Sequence, residues 1–272
     1  LLLLGSCGQH EDITPAGPCL LTELRSSNAQ PFIEWQQLVY NAQQRPVVVR
    51  VPYMSSYPNP DSLTISYNSS GRYQEVMAHR RSSNDFSYKA VYSYLPSGPI
   101  SQVDIYAVLH TEGQPAQHVA TFVHRYNSQQ QLSEIRLKTW EDDQLVETTV
   151  YEYYYQNNKL SRREHYELNE NFPGRWVTHL EFDNARRTPY LGSLPRQNEP
   201  VEYLTEFLLP HENNITSLKN EYHVNGEVMP ASYYTSTYSY NSQGLPVKQT
   251  TTTHEWGGVK STNTYTFTYT CK

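Results

Sequence analysis

Aromatic and polar positions alternate along most of this chain. Near the C-terminus, Tyr265, Phe267 and Tyr269 fall on one side of an extended segment, and Thr264, Thr266, Thr268 and Thr270 on the other. Tyr151, Tyr153 and Tyr155 alternate in the same way. Successive side chains of a strand point to opposite faces, so the pattern predicts strands with one aromatic and one polar face. Each such run ends in a cluster that tolerates positive φ, such as Asn68-Ser69-Ser70-Gly71 or Asn241-Ser242-Gln243-Gly244. A second alternating run follows, as at Leu132–Trp140. The unit is a β-hairpin.

The unit recurs. The aromatic residues just before the turns are Tyr40, Tyr67, Tyr94, Tyr126, Tyr155, Phe182 and Tyr240; the first six stand 27, 27, 32, 29 and 27 residues apart. The gap from Phe182 to Tyr240 is twice such a step and makes Leu209 a degenerate anchor between them. A fixed period of this size marks a repeated supersecondary unit. The expected fold is all-β: an antiparallel meander of about sixteen strands. An open meander leaves two unpaired edges, and the strand from Tyr265 to Cys271 carries no charge or proline to protect one. A closed or nearly closed barrel removes both edges, with the last strand pairing the first hairpin, around Phe32 to Tyr40.

Two stretches break the rhythm. Residues 184–209 carry Pro189, Pro195 and Pro200, and read as an irregular insertion with a short helix from Pro200. Residues 8–30 read as a tether, which leaves 31–272 as one repeat domain.

Composition narrows the classes. With 21 Lys+Arg against 27 Asp+Glu there is no basic stripe, so no nucleic-acid partner is expected. Tyrosine is abundant, 24 copies against 7 Phe, and suits a half-solvated sheet because its ring is apolar and its hydroxyl polar. Mean hydropathy is −0.71, which predicts no membrane-spanning helix. If the strands crossed a membrane, their outward face would have to be apolar, yet the face opposite the aromatics is Thr, Ser, Glu, Lys and Gln. The expected barrel is therefore water-soluble.

The first residues differ from the rest. Leu4-Gly5-Ser6-Cys7 ends an apolar run and resembles a bacterial lipobox, which implies that residues 1–7 are a signal-peptide remnant and that Cys7 is lipidated. The acidic segment after it resembles the export signal of some surface lipoproteins of the Bacteroides group. The remaining cysteines, Cys19 and Cys271, allow either a disulfide or two separate thiols.

The motif aromatic-x-Tyr-Asn-x-x-Gly-x-Leu resembles the tyrosine-aspartate repeats of Rhs-type proteins, with Asn in place of Asp. Together with the lipobox and the segments Phe182-Asp183-Asn184, Thr188-Pro189-Tyr190, Phe207-Leu208-Leu209-Pro210 and Asn213-Asn214-Ile215-Thr216, the chain resembles uncharacterised Bacteroides-group lipoproteins with a porin-like fold. The resemblance implies an outer-membrane lipoprotein at the cell surface or periplasmic face, and supplies no catalytic residues.

Candidate chemistry is sparse. His179, Glu181 and Asp183 alternate on one strand face, but a metal site usually gathers ligands from separate elements, and a solvated polar face explains them as well. His118 and His124 share a face if their strand is unbroken. Glu141-Asp142-Asp143 reads as solvated turn charge without an EF-hand pattern. No nucleophile elbow, P-loop or zinc motif occurs, and no metal or cofactor is implied. Trp35, Trp140, Trp176 and Trp256 are the candidates for stacking on a sugar ring, against ordinary packing as the plainer role. A binding or structural envelope module, with a glycan or a protein as its ligand, is the leading reading. The alternative is an envelope glycan hydrolase with paired carboxylates.

Overall fold

The computed structural model describes residues 19–27, 35–50, 62–79, 86–109, 114–141, 144–169, 173–186, 213–255, 258 and 260–271. They form sixteen strands: β1 (Cys19–Ser26), β2 (Trp35–Tyr40), β3 (Pro46–Arg50), β4 (Ser62–Tyr67), β5 (Tyr73–His79), β6 (Phe86–Tyr94), β7 (Ile100–Leu109), β8 (Gln117–Tyr126), β9 (Leu132–Glu141), β10 (Gln144–Gln156), β11 (Lys159–Glu167), β12 (Arg175–Arg186), β13 (Asn213–Val224), β14 (Glu227–Tyr240), β15 (Pro246–Glu255) and β16 (Lys260–Cys271). Each pairs antiparallel with its sequence neighbours, and β1 pairs with β16, so the sheet is a closed barrel.

Two expectations need correction. The stretch 8–30 is not wholly a tether: Cys19–Ser26 is β1, and it stands between the last strand and the hairpin that was expected to meet it. Residues 184–186, expected to open the insertion, belong to β12, which continues to Arg186. Its short helix from Pro200 and the anchor at Leu209 lie outside the described residues, as does Cys7.

The register carries one apolar face around the wall. Leu38, Val49, Leu63 and Ala78 are successive partners across β2 to β5, and all four are buried. Ile65, Val76, Ala90, Ile105 and Ala120 continue the pattern across β4 to β8. These residues belong to one core cluster that also takes in Tyr153 of β10, Leu160 of β11 and Phe267 of β16. This face is the inside. Val49, Val103 and Ile105 have no accessible surface at all. At that level these side chains are fully covered by their neighbours in the inner core cluster.

The outer face is polar and ion-paired. Arg136 bridges Glu134 and Glu147 at 2.7 and 2.6 Å, and Arg125 joins Glu134 at 3.0 Å. Arg162 and Arg175 both pair with Glu164. Across β14 to β16 the outer face is a threonine array: Thr235, Thr252 and Thr262 are partners, and so are Thr237, Thr250 and Thr264. Burying such a belt in hydrocarbon would cost about 2–4 kcal/mol for each Arg or Lys at mid-depth. The faces are thus the reverse of those of a membrane-spanning barrel.

The two ends of the barrel differ. At one end, tight turns join β2–β3, β4–β5, β6–β7, β8–β9, β10–β11 and β14–β15. In the Asn41 turn, Asn41 Oδ1 accepts from the amides of Gln43 and Arg45 at 3.0 Å each, and Gln44 takes φ +62°. Asn68, Asn127 and Asn241 repeat the arrangement. An Asn side chain that satisfies its own turn amides explains its recurrence after the aromatic anchor. Cys19 and Cys271 are register partners at this same end, joined as a disulfide.

Candidate functional site

A ring of tyrosines closes the tight-turn end from inside. Tyr40 donates its hydroxyl to the Leu21 carbonyl at 2.6 Å, Tyr67 to Pro46 at 2.7 Å and Tyr94 to Tyr73 at 2.7 Å. Tyr126 reaches Ile100 at 2.8 Å, Tyr155 reaches Leu132 at 3.0 Å and Tyr269 reaches Pro246 at 2.8 Å. In each case an even-numbered strand bonds the start of the strand before it. On β14 the bond comes from Tyr238, to Ile215 at 2.9 Å, and not from the anchor Tyr240. Tyr240 instead donates to Asp183, beside the buried Asn214. Burial, followed by the bond to Asp183, raises the Tyr240 phenol to about 12. Burial also raises the phenols of Tyr40, Tyr126, Tyr155 and Tyr269 well above the ordinary tyrosine value. Kept neutral, these groups serve as donors that satisfy carbonyls at the bulges beside the turns.

The opposite end is more open on its inner face. Leu109 of β7 is 38% exposed, Trp176 of β12 39% and Met229 of β14 39%. Among the described residues, the inner face is thus covered near the tight turns and more exposed toward the far end of the strands.

A strip of rings crosses the inner wall close to that rim. Tyr151, His165, Trp176 and Tyr222 are successive register partners on β10 to β13. Their ring centroids stand 5.5, 6.2 and 4.9 Å apart, and the His165 and Trp176 planes differ by only 10°. Tyr151 packs on the apolar core, which fixes the strip to the inner face. The next row toward the tight-turn end is polar: Tyr153, Arg163, Thr178, Asn220 and Ser232 are partners in register. Thr178 donates to Asn220 at 2.8 Å, and the Asn220 amide donates to Ser232 at 2.9 Å. Arg163 is thus an inward cation, and its Nε is buried without a hydrogen-bond partner among the described residues. At the rim, a shallow groove of about 310 Å³ runs between Tyr166–Asn169 and Pro173–Arg175. Gly174, in its floor, lies directly under the Tyr222 phenol, and a Cβ there would overlap that ring.

The tryptophans singled out in the sequence separate. Trp176 stands in the inner strip. Trp140 is 47% exposed on the outer face, edge-on to His118 at 5.9 Å. Trp35 lies in β2, but its side chain is outside the described residues, and so is all of Trp256. The partners of Trp176, namely Tyr151, His165 and Tyr222, carry no local motif; only the cross-strand register brings them together.

The histidines also separate. A bulge at Val119 turns His118 to the outer face, where it contacts Thr121 at 2.9 Å and Asp104 at 3.4 Å. His124 points inward and is buried, so the two do not share a face. His179 faces Glu221 at 3.4 Å across the outer sheet, as an ion-pair neighbour. Among the described residues no group of three or more His, Cys, Asp or Glu could hold a metal ion. Asp104, Glu134, Glu147, Glu164 and Glu221 all lie on the outer face beside a basic side chain. A hydrolase with two converging carboxylates gains no support from that arrangement.

No protein-family model matches the sequence, and no curated protein does. Solved structures do. A porin-like protein from Bacteroides uniformis superposes on 94% of this chain and 98% of its own, with a TM-score of 0.57 at 15% identity. A porin-like protein from Bacteroides vulgatus covers 92% of this chain and 98% of its own, with a TM-score of 0.56 at 10% identity. At these identities the likeness establishes the fold: the chain is a closed, porin-like antiparallel barrel.

Proposed function

We propose that this protein is a lipid-anchored, non-enzymatic binding module of a bacterial envelope, held beside the outer membrane by Cys7 and working in water. The observation that carries this reading is the reversal of faces. Apolar residues fill the inside, and ion pairs and threonines cover the outside, so the barrel suits an aqueous compartment next to a membrane better than the bilayer itself. The lipobox-like Leu4-Gly5-Ser6-Cys7 supplies an anchor by resemblance. The twelve residues from Cys7 to Cys19 reach at most about 40 Å when extended, and they lead to the tight-turn end of the barrel. That arrangement leaves the far rim as the face offered to a ligand. The tyrosine-aspartate-like repeat serves as a building unit for the wall, with no catalytic part.

The test is fractionation of cells producing the wild type or Cys7→Ala. The wild type is expected with the outer membrane and the variant in the soluble fraction. Equal membrane retention of both would overturn the anchor. Protease treatment of intact cells then separates surface display, in which the protein is cut, from a periplasmic position, in which it is spared.

A further inference from the structure

We infer that the inner strip Tyr151–His165–Trp176–Tyr222, with Arg163 beneath it, is a binding site for a carboxylate-bearing sugar chain. The inference rests on the binding-module reading above and names the ligand class of its rim.

Shape supports a sugar. Four rings on four adjacent strands make an elongated row, partly stacked and partly tilted on one another, and each centroid lies within about one sugar-ring length of the next. Trp176 at its centre is accessible, while its neighbours hold it from both sides: His165 nearly parallel, Tyr222 inclined at 44°. A rigid, part-exposed indole loses little entropy when a flat apolar ring face covers it. An apolar peptide would be matched by an apolar border. Here the border is polar, with Thr178, Asn220 and Ser232 on one side and the groove beside Glu167 and Asn169 on the other. Apolar faces edged by hydroxyls are the chemistry of a saccharide.

Charge supports an acidic one. Arg163 lies on the inner face two residues from His165, and none of the described side chains in its row is acidic. Elsewhere in this wall arginines have carboxylates: Arg136 has two and Arg175 has Glu164 and Glu152. The described carboxylate on the inward side of β11, Glu167, lies two residues beyond His165 on the opposite side of the strip from Arg163, where it is exposed to solvent at the rim. The inward guanidinium of Arg163 offers a fork of N–H donors suited to a planar anion from the ligand.

Binding of oligogalacturonate to the intact protein, read by tryptophan fluorescence and calorimetry, tests the inference, with cello-oligosaccharide of matched length as the neutral probe. Saturable binding of the acidic probe is expected, with weaker binding of the neutral one. Trp176→Ala should weaken the acidic probe about tenfold or more through loss of the stacked face. Arg163→Gln should bring the acidic probe down to the neutral level while leaving the neutral one unchanged. Trp140→Ala, on the outer face, should bind as wild type, and unfolding midpoints confirm that each variant is folded. Equal affinity of wild type for both probes overturns the acidic assignment. Binding unchanged in a folded Trp176→Ala, or no binding of either probe to wild type, overturns the site. None of these outcomes bears on membrane fractionation, so failure here leaves the anchor reading standing.

Discussion

The hydroxyl of Tyr94 donates to the backbone carbonyl of Tyr73, 2.7 Å away on the neighbouring strand, while the Arg72 guanidinium lies over the Tyr94 ring at 4.3 Å from its centroid. One side chain therefore fills the interior, satisfies a carbonyl beside a bulge, and carries a cation that itself donates to the Gly98 carbonyl at 2.8 Å. Tyr94→Phe keeps the ring and removes only the hydroxyl. The expected cost is about 1–2 kcal/mol, because a covered carbonyl loses its partner. In a chain of this size that lowers the melting midpoint by roughly 2–8 °C. Tyr94→Ala adds a cavity and should cost about 3–5 kcal/mol. A melting midpoint for Tyr94→Phe equal to wild type would mean that water satisfies the carbonyl as well as the phenol does.

Gly71 and Gly244 hold the same place in two sister turns, at φ +79° and +74°. Their surroundings differ. A Cβ on Gly71 would overlap the Arg45 guanidinium, whereas nothing stands within 4 Å of the corresponding point on Gly244. Gly244→Ala should cost about 1 kcal/mol for the left-handed backbone alone. Gly71→Ala should cost that and a further ~0.5–1 kcal/mol, since Arg45 must leave the Tyr67 ring over which it now lies. The difference should vanish when both substitutions are made in an Arg45→Ala background. A difference that persists there would assign the cost to the backbone.

The hairpin repeat, the strand number and the inward placement of the aromatics were legible because a period of two survives wherever a strand is unbroken. What defeated the reading was bulges. In β1 the register shifts at Thr22, so Leu20 and Leu21 stand side by side and the alternation of Cys19, Leu21, Leu24 and Ser26 is hidden. The same local event at Val119 separates His118 from His124. On β14 the anchor Tyr240 stands directly before its turn as the repeat requires, but the tyrosine that reaches the neighbouring carbonyl is Tyr238, two residues earlier, which the sequence does not mark. The ring strip was illegible for another reason. Trp176 was visible as a candidate, but its neighbours come from three other strands, and only the register of those strands decides which residues meet.

Glu221 sets an acid limit on the outer sheet. Hydrogen bonds from Lys219, then His223 and His179, hold its carboxyl down at about 2. The unfolded value is about 4.3. A depressed folded value stabilises the native state above the unfolded pKa, and the contribution is lost as pH falls from about 4.5 toward 2. Lys219 and both histidines are more than a third exposed, so solvent screening limits the effect to about 1 kcal/mol. Glu221→Gln should therefore flatten part of the acid limb in urea-unfolding midpoints measured between those pH values. An unchanged acid limb would show that the ion pairs of Glu221 contribute nothing net.

The Cys19–Cys271 disulfide joins the first and last residues of the closing seam, 252 positions apart in the chain. The seam does not depend on it for its shape. Six further register pairs, from Leu20–Thr270 to Ser26–Tyr265, hold β1 to β16, and Tyr40 donates to the Leu21 carbonyl from the other side. The bond therefore acts chiefly on the unfolded chain, which it would close into one large loop. The chain-entropy relation puts the ceiling of that effect at about 5 kcal/mol. Protein purified from an oxidising compartment should resist alkylation at both cysteines until a reductant is added. Cys271→Ser should keep the far-ultraviolet circular dichroism of the wild type at room temperature and melt at a lower temperature, with reduced wild type matching the variant. Ready alkylation of native, unreduced protein would show that the thiols are free. Loss of the β signal in Cys271→Ser at room temperature would show that the seam needs its covalent staple, against the part assigned here to the register pairs.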